Sequence, residues 1–448
     1  MSLYSSFIEK IALPVGDFIF GGNYLQTMKT WDRYDTLSAG ELLEIQQRSL
    51  EKILKYCIEN VPFYKDITFD DSLTTVENLH RFPILTKVIL RGNSDQLLSE
   101  KYLKRELKKN FSSGSSGVQS FSYSEKKNSF YLQGISSHWY KWGGYKFGDP
   151  ILQFGISPNR TLPKKLKDLF YRVNYQSAFS LSDEDFARIY RDVTARETRH
   201  IIGYPSAINE FAEYLIRNNQ SIKISSIVSL GDKLFKHFEK NFKVAFSDPS
   251  IIDTYGCAEG FLIACRFDVP YYYISSPHVF VEIVDDDGNP VEDGEMGNVL
   301  ITCFSNLAQP FIRYKLGDLG KMLPKEKYPS ARAFKYPLLE KIIGRETDII
   351  KTSNGKTLIV HSFTGILEYY PDILQYHIIQ HEIESITIEY RTDELIPLQE
   401  KTLAEIEQKI DILSESTLKI HFQKVDIIPN SPSGKPQIIR STLLENKL

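Results

Sequence analysis

Apolar positions recur at spacings of three and four through residues 40–60 ("GELLEIQQRSLEKILKYCIEN"), which predicts a helix. "FPILTKVILR" (82–91) reads as a turn leading into another helix. Between 150 and 260 the period switches repeatedly. Short apolar runs ("ILQFGI", "HIIGY", "SSIVSLG") separate helical stretches ("SAINEFAEYLIRNN", "KLFKHFEKNF"), which predicts α/β organisation with parallel strands. From 278 to 303, "HVFVEIVDDDGNPVEDGEMGNVLITC" is two alternating segments around a turn rich in Asp, Gly and Pro, hence a β-hairpin. After "IIGRETD" the pattern is that of a small α+β unit. It has a hairpin at "IIKTSNGKTLIV", helices near 362–370 and 400–413, and strands at "YHIIQ", "SITIEY" and "LKIHFQKV". The expected division is a large N-terminal domain (1–343) of α/β sheets plus β-hairpin or barrel elements, a hinge (344–348) and a small α+β C-terminal domain (349–448).

One stretch fits neither period. Ser112 to Gly117 contains only serine and glycine. Basic, helix-prone residues precede it ("KYLKRELKKN") and an alternating run follows ("SFSYS"). The composition suits a flexible surface loop. It equally suits a phosphate cradle, because glycine lets the backbone approach closely and aim its N–H groups inward. A Walker loop is excluded, since Gly117 is followed by Val118 rather than lysine.

Composition narrows the partners. The 448 residues are 42% apolar and 25% charged with net charge −3, an ordinary globular balance that argues against a dedicated nucleic-acid binder. The 26 Tyr and 27 Phe argue against disorder. The four cysteines (Cys57, Cys257, Cys265, Cys303) form no CxxC, and a reduced, cytoplasmic protein is expected. Cys257, Cys265, His278 and Cys303 could meet around zinc, but without the short paired spacing of a zinc site. No run reaches the ~18 apolar residues of a membrane span, and no signal-peptide pattern is present. The amphipathic start "SSFIEKIALPVGDFIFGG" suits contact with a membrane, a partner or its own domain.

Four further clusters carry chemistry. "DTYGCAEG" puts Tyr255 and Glu259 four apart after an apolar strand, where the ring can stack on a base and the carboxylate can hold Mg²⁺ beside phosphates. "PFIRYKLGDLG" puts Asp318 in a glycine-flanked turn, suited to accepting bonds from ribose hydroxyls. "KIIGRETD" offers Arg345 at the domain junction, and "NSPSGKPQ" offers Lys435 in a Pro/Gly-rich turn. Each alone also reads as a core tyrosine, a solvated carboxylate or a surface lysine.

Together and in this order, from "FPILTK" through "SSGSSG", "YGCAE", "PFIRYKLGD" and "GRETD" to "SGKPQ", the clusters resemble the adenylate-forming (AMP-binding) superfamily. The resemblance is greatest to phenylacetate–CoA ligases and CapK capsular-polysaccharide proteins, and "NGKTLIVHSF" looks more like the CapK branch. It implies a mobile C-terminal lid and an ATP-dependent ligase, in which a carboxylate attacks the α-phosphate to give acyl-AMP and pyrophosphate before a nucleophile displaces AMP. It assigns Ser112, Ser113, Gly114, Ser115, Ser116 and Gly117 to the phosphates, and Gly231, Asp232, Tyr255 and Gly256 to the adenine pocket. Asp318 and Arg345 match the ribose pair, Glu259 the Mg²⁺ ligand and Lys435 the adenylation lysine. By family position His138, Trp139, Trp142 and Tyr204 line an acyl pocket, although core aromatics would look the same. Three positions depart from the family pattern: Val118 where many relatives carry lysine, Ala258 where threonine is usual, and Thr347 where the first aspartate often stands. The expected activity is acyl transfer to CoA. The alternatives are acyl or aminoacyl transfer to an amine or sugar without CoA, in surface-polysaccharide assembly, and a nucleotide-binding protein with a dead site.

Overall fold

The computed structural model describes residues 3–111, 121–155, 160–178, 181–231, 233–257, 259, 261–345, 349–354, 357–359, 363, 366–367, 370, 372–392, 398–428 and 438–445. The chain opens with α1 (Leu3–Phe7), a π-helical turn (Ile8–Ala12), α2 (Leu13–Phe20) and α3 (Tyr24–Tyr34). The helix predicted at 40–60 is α4 (Ala39–Asn60), started by a reciprocal Ser38–Glu41 capping box that satisfies free backbone N–H groups. α5 (Thr75–Leu79) follows, and the 82–91 segment is a turn into α6 (Lys87–Gly92), capped by Thr86.

β1 (Lys108–Phe111) and β2 (Phe121–Ser124) form an antiparallel pair whose connection is the serine/glycine stretch. The basic residues before it are not helical. They make a 3₁₀ turn at Lys104–Glu106 and then β1, because pairing with β2 outweighs a propensity difference of tenths of a kcal/mol per residue. α7 (Lys126–Trp142) leads into the α/β region: β3 (Ile151–Gly155), α8 (Leu162–Phe170), β4 (Val173–Ser177), α9 (Asp183–Ala195), β5 (His200–Gly203), α10 (Pro205–Arg217), β6 (Ser226–Ser229), α11 (Lys236–Ala245) and β7 (Ser250–Cys257). These strands run parallel in the order β4-β3-β5-β6-β7.

β8 (Phe261–Arg266), β9 (Tyr272–Ile274), β10 (Val279–Val284), β11 (Gly297–Cys303), β12 (Tyr314–Met322) and β13 (Leu338–Arg345) are antiparallel, and the predicted 278–303 hairpin is β10–β11. They do not form a separate barrel. β7 pairs parallel with β6 on one side and antiparallel with β8 on the other, so both halves belong to one sheet of eleven strands. One core packs α4 and the neighbouring short helices on the antiparallel half, and another packs α9–α11 on the parallel half.

After residue 348 come β14 (Ile349–Lys351) and β15 (Thr357–Ile359), the predicted hairpin, then β16 (Ile373–Glu382), β17 (Ser385–Thr392), α12 (Glu400–Ser414), β18 (Lys419–Lys424) and β19 (Ile439–Ser441). The last four strands form a sheet in the order β18-β17-β16-β19. The helix expected near 362–370 falls partly outside the described residues. This unit has its own core, including Ile378, Ile388, Ile406 and Ile410, and Phe235 from the loop before α11 packs against it.

Candidate active site

β7 is the boundary between the two halves of the sheet, and its C-terminal end emerges where parallel α/β sheets hold ligands, outside the carboxyl ends of their strands. Two neighbouring strand ends contribute. Tyr204 follows β5 and Gly231 follows β6. Gly231 has φ +76°, and a Cβ there would lie 2.9 Å from the Tyr204 ring, so both backbone conformation and space call for glycine. Asp232 lies outside the described residues.

Four side chains, from β7, the turn after it and β12, cross-brace the site. The Tyr255 hydroxyl donates to Asp318 Oδ2 at 2.8 Å. The Tyr314 hydroxyl donates to Glu259 Oε1, also at 2.8 Å. In each segment the tyrosine precedes its carboxylate by four residues, so the two bonds run in opposite senses between the segments. Burial drives both phenol pKa values far above the usual range, which keeps them protonated donors. Gly256 allows the chain to turn just beyond Tyr255, since a Cβ there would lie 2.4 Å from the Phe261 carbonyl oxygen. Glu259, in that turn, is 8% exposed.

Asp318 is not in a turn, as its flanking glycines suggested, but inside β12. Leu300 pairs with Lys315 and Asn298 with Leu319, which leaves Leu316, Gly317 and Asp318 bulged opposite Val299. Gly317 takes the left-handed conformation this needs, at φ +84°. On its other side Asp318 stands in register with Arg345 of β13. The two residues predicted to share the ribose therefore sit on adjacent strands.

Ser112 to Gly117 lie outside the described residues, but the base of their hairpin is anchored. The Tyr123 N–H donates to Gln309 Oε1 at 2.7 Å, and Asn306 Nδ2 donates to the Tyr123 carbonyl at 2.8 Å. Both amide side chains are buried, and both belong to the segment entering β12. The "FPILTK" stretch joins the same strand: the Leu85 N–H donates to Arg313 O and the Lys315 N–H to Leu85 O, forming a bridge beside Tyr314. Sequence reading passed over Tyr314, Asn306 and Gln309. The available signal was two amide residues in the otherwise apolar "NLAQPFI".

His138, Trp139 and Trp142 are placed together on α7, away from Tyr204. His138 is 1% exposed, with Nδ1 3.1 Å from Asp32 and Nε2 3.1 Å from Asp35. Trp142 Nε1 donates to Asp35 at 2.9 Å and its ring stacks on Phe334 at 4.3 Å. Trp139 is buried in the core that α3 and α7 share. Tyr204 borders a different core, against α10. Lys435, Val118, Ala258 and Thr347 lie outside the described residues. Among the described residues no cluster of three or more His, Cys, Asp or Glu side chains is placed to hold a metal. Burial raises the thiol pKa of Cys257, Cys265 and Cys303, which opposes the thiolate a zinc ligand needs.

No protein-family model matches the chain. It is 22% identical over 413 residues to Protein CapK of Staphylococcus aureus, covering 88% of each chain. It is 24% identical over 346 residues to the phenylacetate–coenzyme A ligase of Escherichia coli strain K12, covering 71% of this chain and 74% of that one. Among solved structures, a 2-hydroxyisobutyryl-CoA ligase in its postadenylation state superimposes with TM-score 0.72 at 14% identity, covering 93% of each chain. The same enzyme in its thioesterification state gives 0.58 over the same coverage. The chain therefore has the fold of this CoA ligase, and its sequence similarity runs to CapK and to the phenylacetate–CoA ligases.

Proposed function

We propose that the protein activates a carboxylic acid with ATP and passes the acyl group to the thiol of CoA. In the first step a carboxylate oxygen attacks the α-phosphorus and the bond to the bridging oxygen breaks, giving acyl-AMP and pyrophosphate. In the second, the nucleophile attacks the acyl carbon and AMP leaves. The observation that carries this reading is the crosswise pair of tyrosine–carboxylate bonds, which joins residues from distant stretches of the chain.

In this reading Asp318 accepts the ribose hydroxyls, with Arg345 beside it on β13. Tyr255, Gly256, Gly231, Asp232 and Tyr204 wall the adenine, and Ser112 to Gly117 wrap the phosphates. Glu259 is a hard oxygen donor whose described partners are neutral, the Tyr314 phenol and the Cys257 thiol, and it would hold Mg²⁺ beside the phosphates. Bound there, the ion would neutralise charge building on the phosphates. Lys435, carried on the small unit beyond a hinge at 344–348, supplies a second positive charge for adenylation and withdraws for transfer. The better superposition on the postadenylation neighbour supports a unit that takes more than one position.

The similarity to CapK covers more of the chain than that to the phenylacetate ligases, which favours a second reading with an amine or sugar acceptor in place of CoA. Exchange of labelled pyrophosphate into ATP across a panel of acids tests the shared first step, and AMP release with CoA or with amino sugars separates the acceptors. The expected result is acid-dependent exchange that disappears in a folded Lys435→Ala variant. No exchange with any acid would favour a nucleotide-binding protein with a dead site.

A further inference from the structure

The N-terminal helices and α8 leave two apolar stripes without a partner. Phe7, Ile11, Val15, Phe18 and Ile19 are between 45% and 89% exposed, while Ile8 and Leu13 between them are buried in the core. On α8, Leu162, Leu166 and Leu169 follow one another at helical spacing and are 71%, 59% and 74% exposed. The Tyr4 hydroxyl donates to the Phe170 carbonyl, which fastens the first stripe to the end of the second. Apolar exposure of this extent marks an interaction surface.

The charge around α8 selects the partner, since the N-terminal stripe itself carries only Glu9, Lys10 and Asp17. Residues 160–172 hold five basic side chains and one acidic one, in a chain of net charge −3. The single acid, Asp168, is taken by Arg160 at 2.8 Å. Lys164 and Lys165 are exposed and form no ion pair among the described residues. Where the two elements meet, Ser5, Lys146, Arg172 and Arg199 line a cavity of about 230 Å³ with Asp149 and Glu197. A second copy laid symmetrically on this face would bring lysine toward lysine, whereas an anionic surface neutralises them. Among the described residues no helix is long and apolar enough to cross a membrane.

We propose that this face docks on an anionic phospholipid bilayer. The stripes lie in the interfacial plane, with Phe18, Ile19 and the α8 leucines among the acyl chains and the lysines at the headgroup phosphates. Flotation of the full chain with vesicles tests this without reference to ligase activity. Phosphatidylcholine alone is compared with the same lipid carrying about one-third phosphatidylglycerol. Because the stripes and lysines are exposed, Phe18→Ser/Ile19→Ser and Lys164→Glu/Lys165→Glu are expected to keep the wild-type melting temperature. The protein should float with the anionic vesicles, and each double variant should weaken that association by about tenfold or more. Failure to float with the anionic vesicles, or flotation untouched by both double variants, would overturn the proposal. So would a dimer in solution that the Phe18/Ile19 variant dissolves while the wild type ignores vesicles, since the occupant would then be a second copy.

Discussion

Two carboxylate clusters built from much the same side chains differ in what completes them. Around His138, Asp32 and Asp35 meet the imidazole, the Lys141 ammonium at 2.6 Å, the Trp142 indole and the Tyr336 hydroxyl at 2.9 Å. Lys141 supplies positive charge from within, and the cluster pins α7 to α3 and to the segment before β13. Between β7 and β12, Glu259 and Asp318 are met by neutral donors, the Tyr314 and Tyr255 phenols and the Cys257 thiol, and among the described residues no cation is paired with either. Under the proposed function, these two carboxylates, which have no internal counter-ion among the described residues, are the ones left to meet a cation and a ribose.

This contrast makes sharp predictions. Glu259→Gln should lower pyrophosphate exchange by about 10²–10³-fold, the size typical of losing one electrostatic contact to the reacting phosphates, while barely moving the thermal midpoint. If the variant instead melts early and exchanges normally per folded molecule, Glu259 belongs with the His138 kind of cluster. His138→Ala should do the reverse. Taking the imidazole contact from Asp32 should cost about 1–3 kcal/mol in denaturant unfolding, with the KM for ATP unchanged. A KM that rises tenfold without loss of stability would move His138 to the substrate side.

A third buried group belongs to neither cluster and gives a smaller, pH-dependent effect. His278 is fully buried, and neither ring nitrogen has a hydrogen-bond partner among the described residues. Burial pushes its pKa down from 6.5 to about 3. The folded state therefore holds the neutral ring, and its contribution is complete above pH 6.5. It is lost as pH falls toward 3, at about 1.4 kcal/mol per pH unit. Unfolding measured from pH 7 to 5 should show a shallower fall in a His278→Leu variant; equal slopes would assign the acid sensitivity elsewhere.

Much of the architecture was legible because it is local. The 40–60 helix, the alternation from 150 to 260, and the hairpins at 278–303 and 349–359 each declare themselves within a few residues of chain. What stayed hidden is non-local. The antiparallel half of the sheet is closed up by pairings such as β13 with β9, which no window of periodicity contains. The cross-brace was invisible for the same reason, its bonded partners lying 63 and 55 residues apart. The glycine before Asp318 suggests a turn. The glycine in fact serves a bulge, a feature that turn statistics do not separate from a reversal of the chain.

Phe235 gives the two units a shared side chain. It stands four residues after Gly231, whose backbone fits against Tyr204, and its ring packs on the core built by strands after residue 348. Any rotation of the small unit must strip that ring of its apolar cover or carry the loop along. The loop that carries Gly231 and the core of the smaller unit thus meet at this phenyl group.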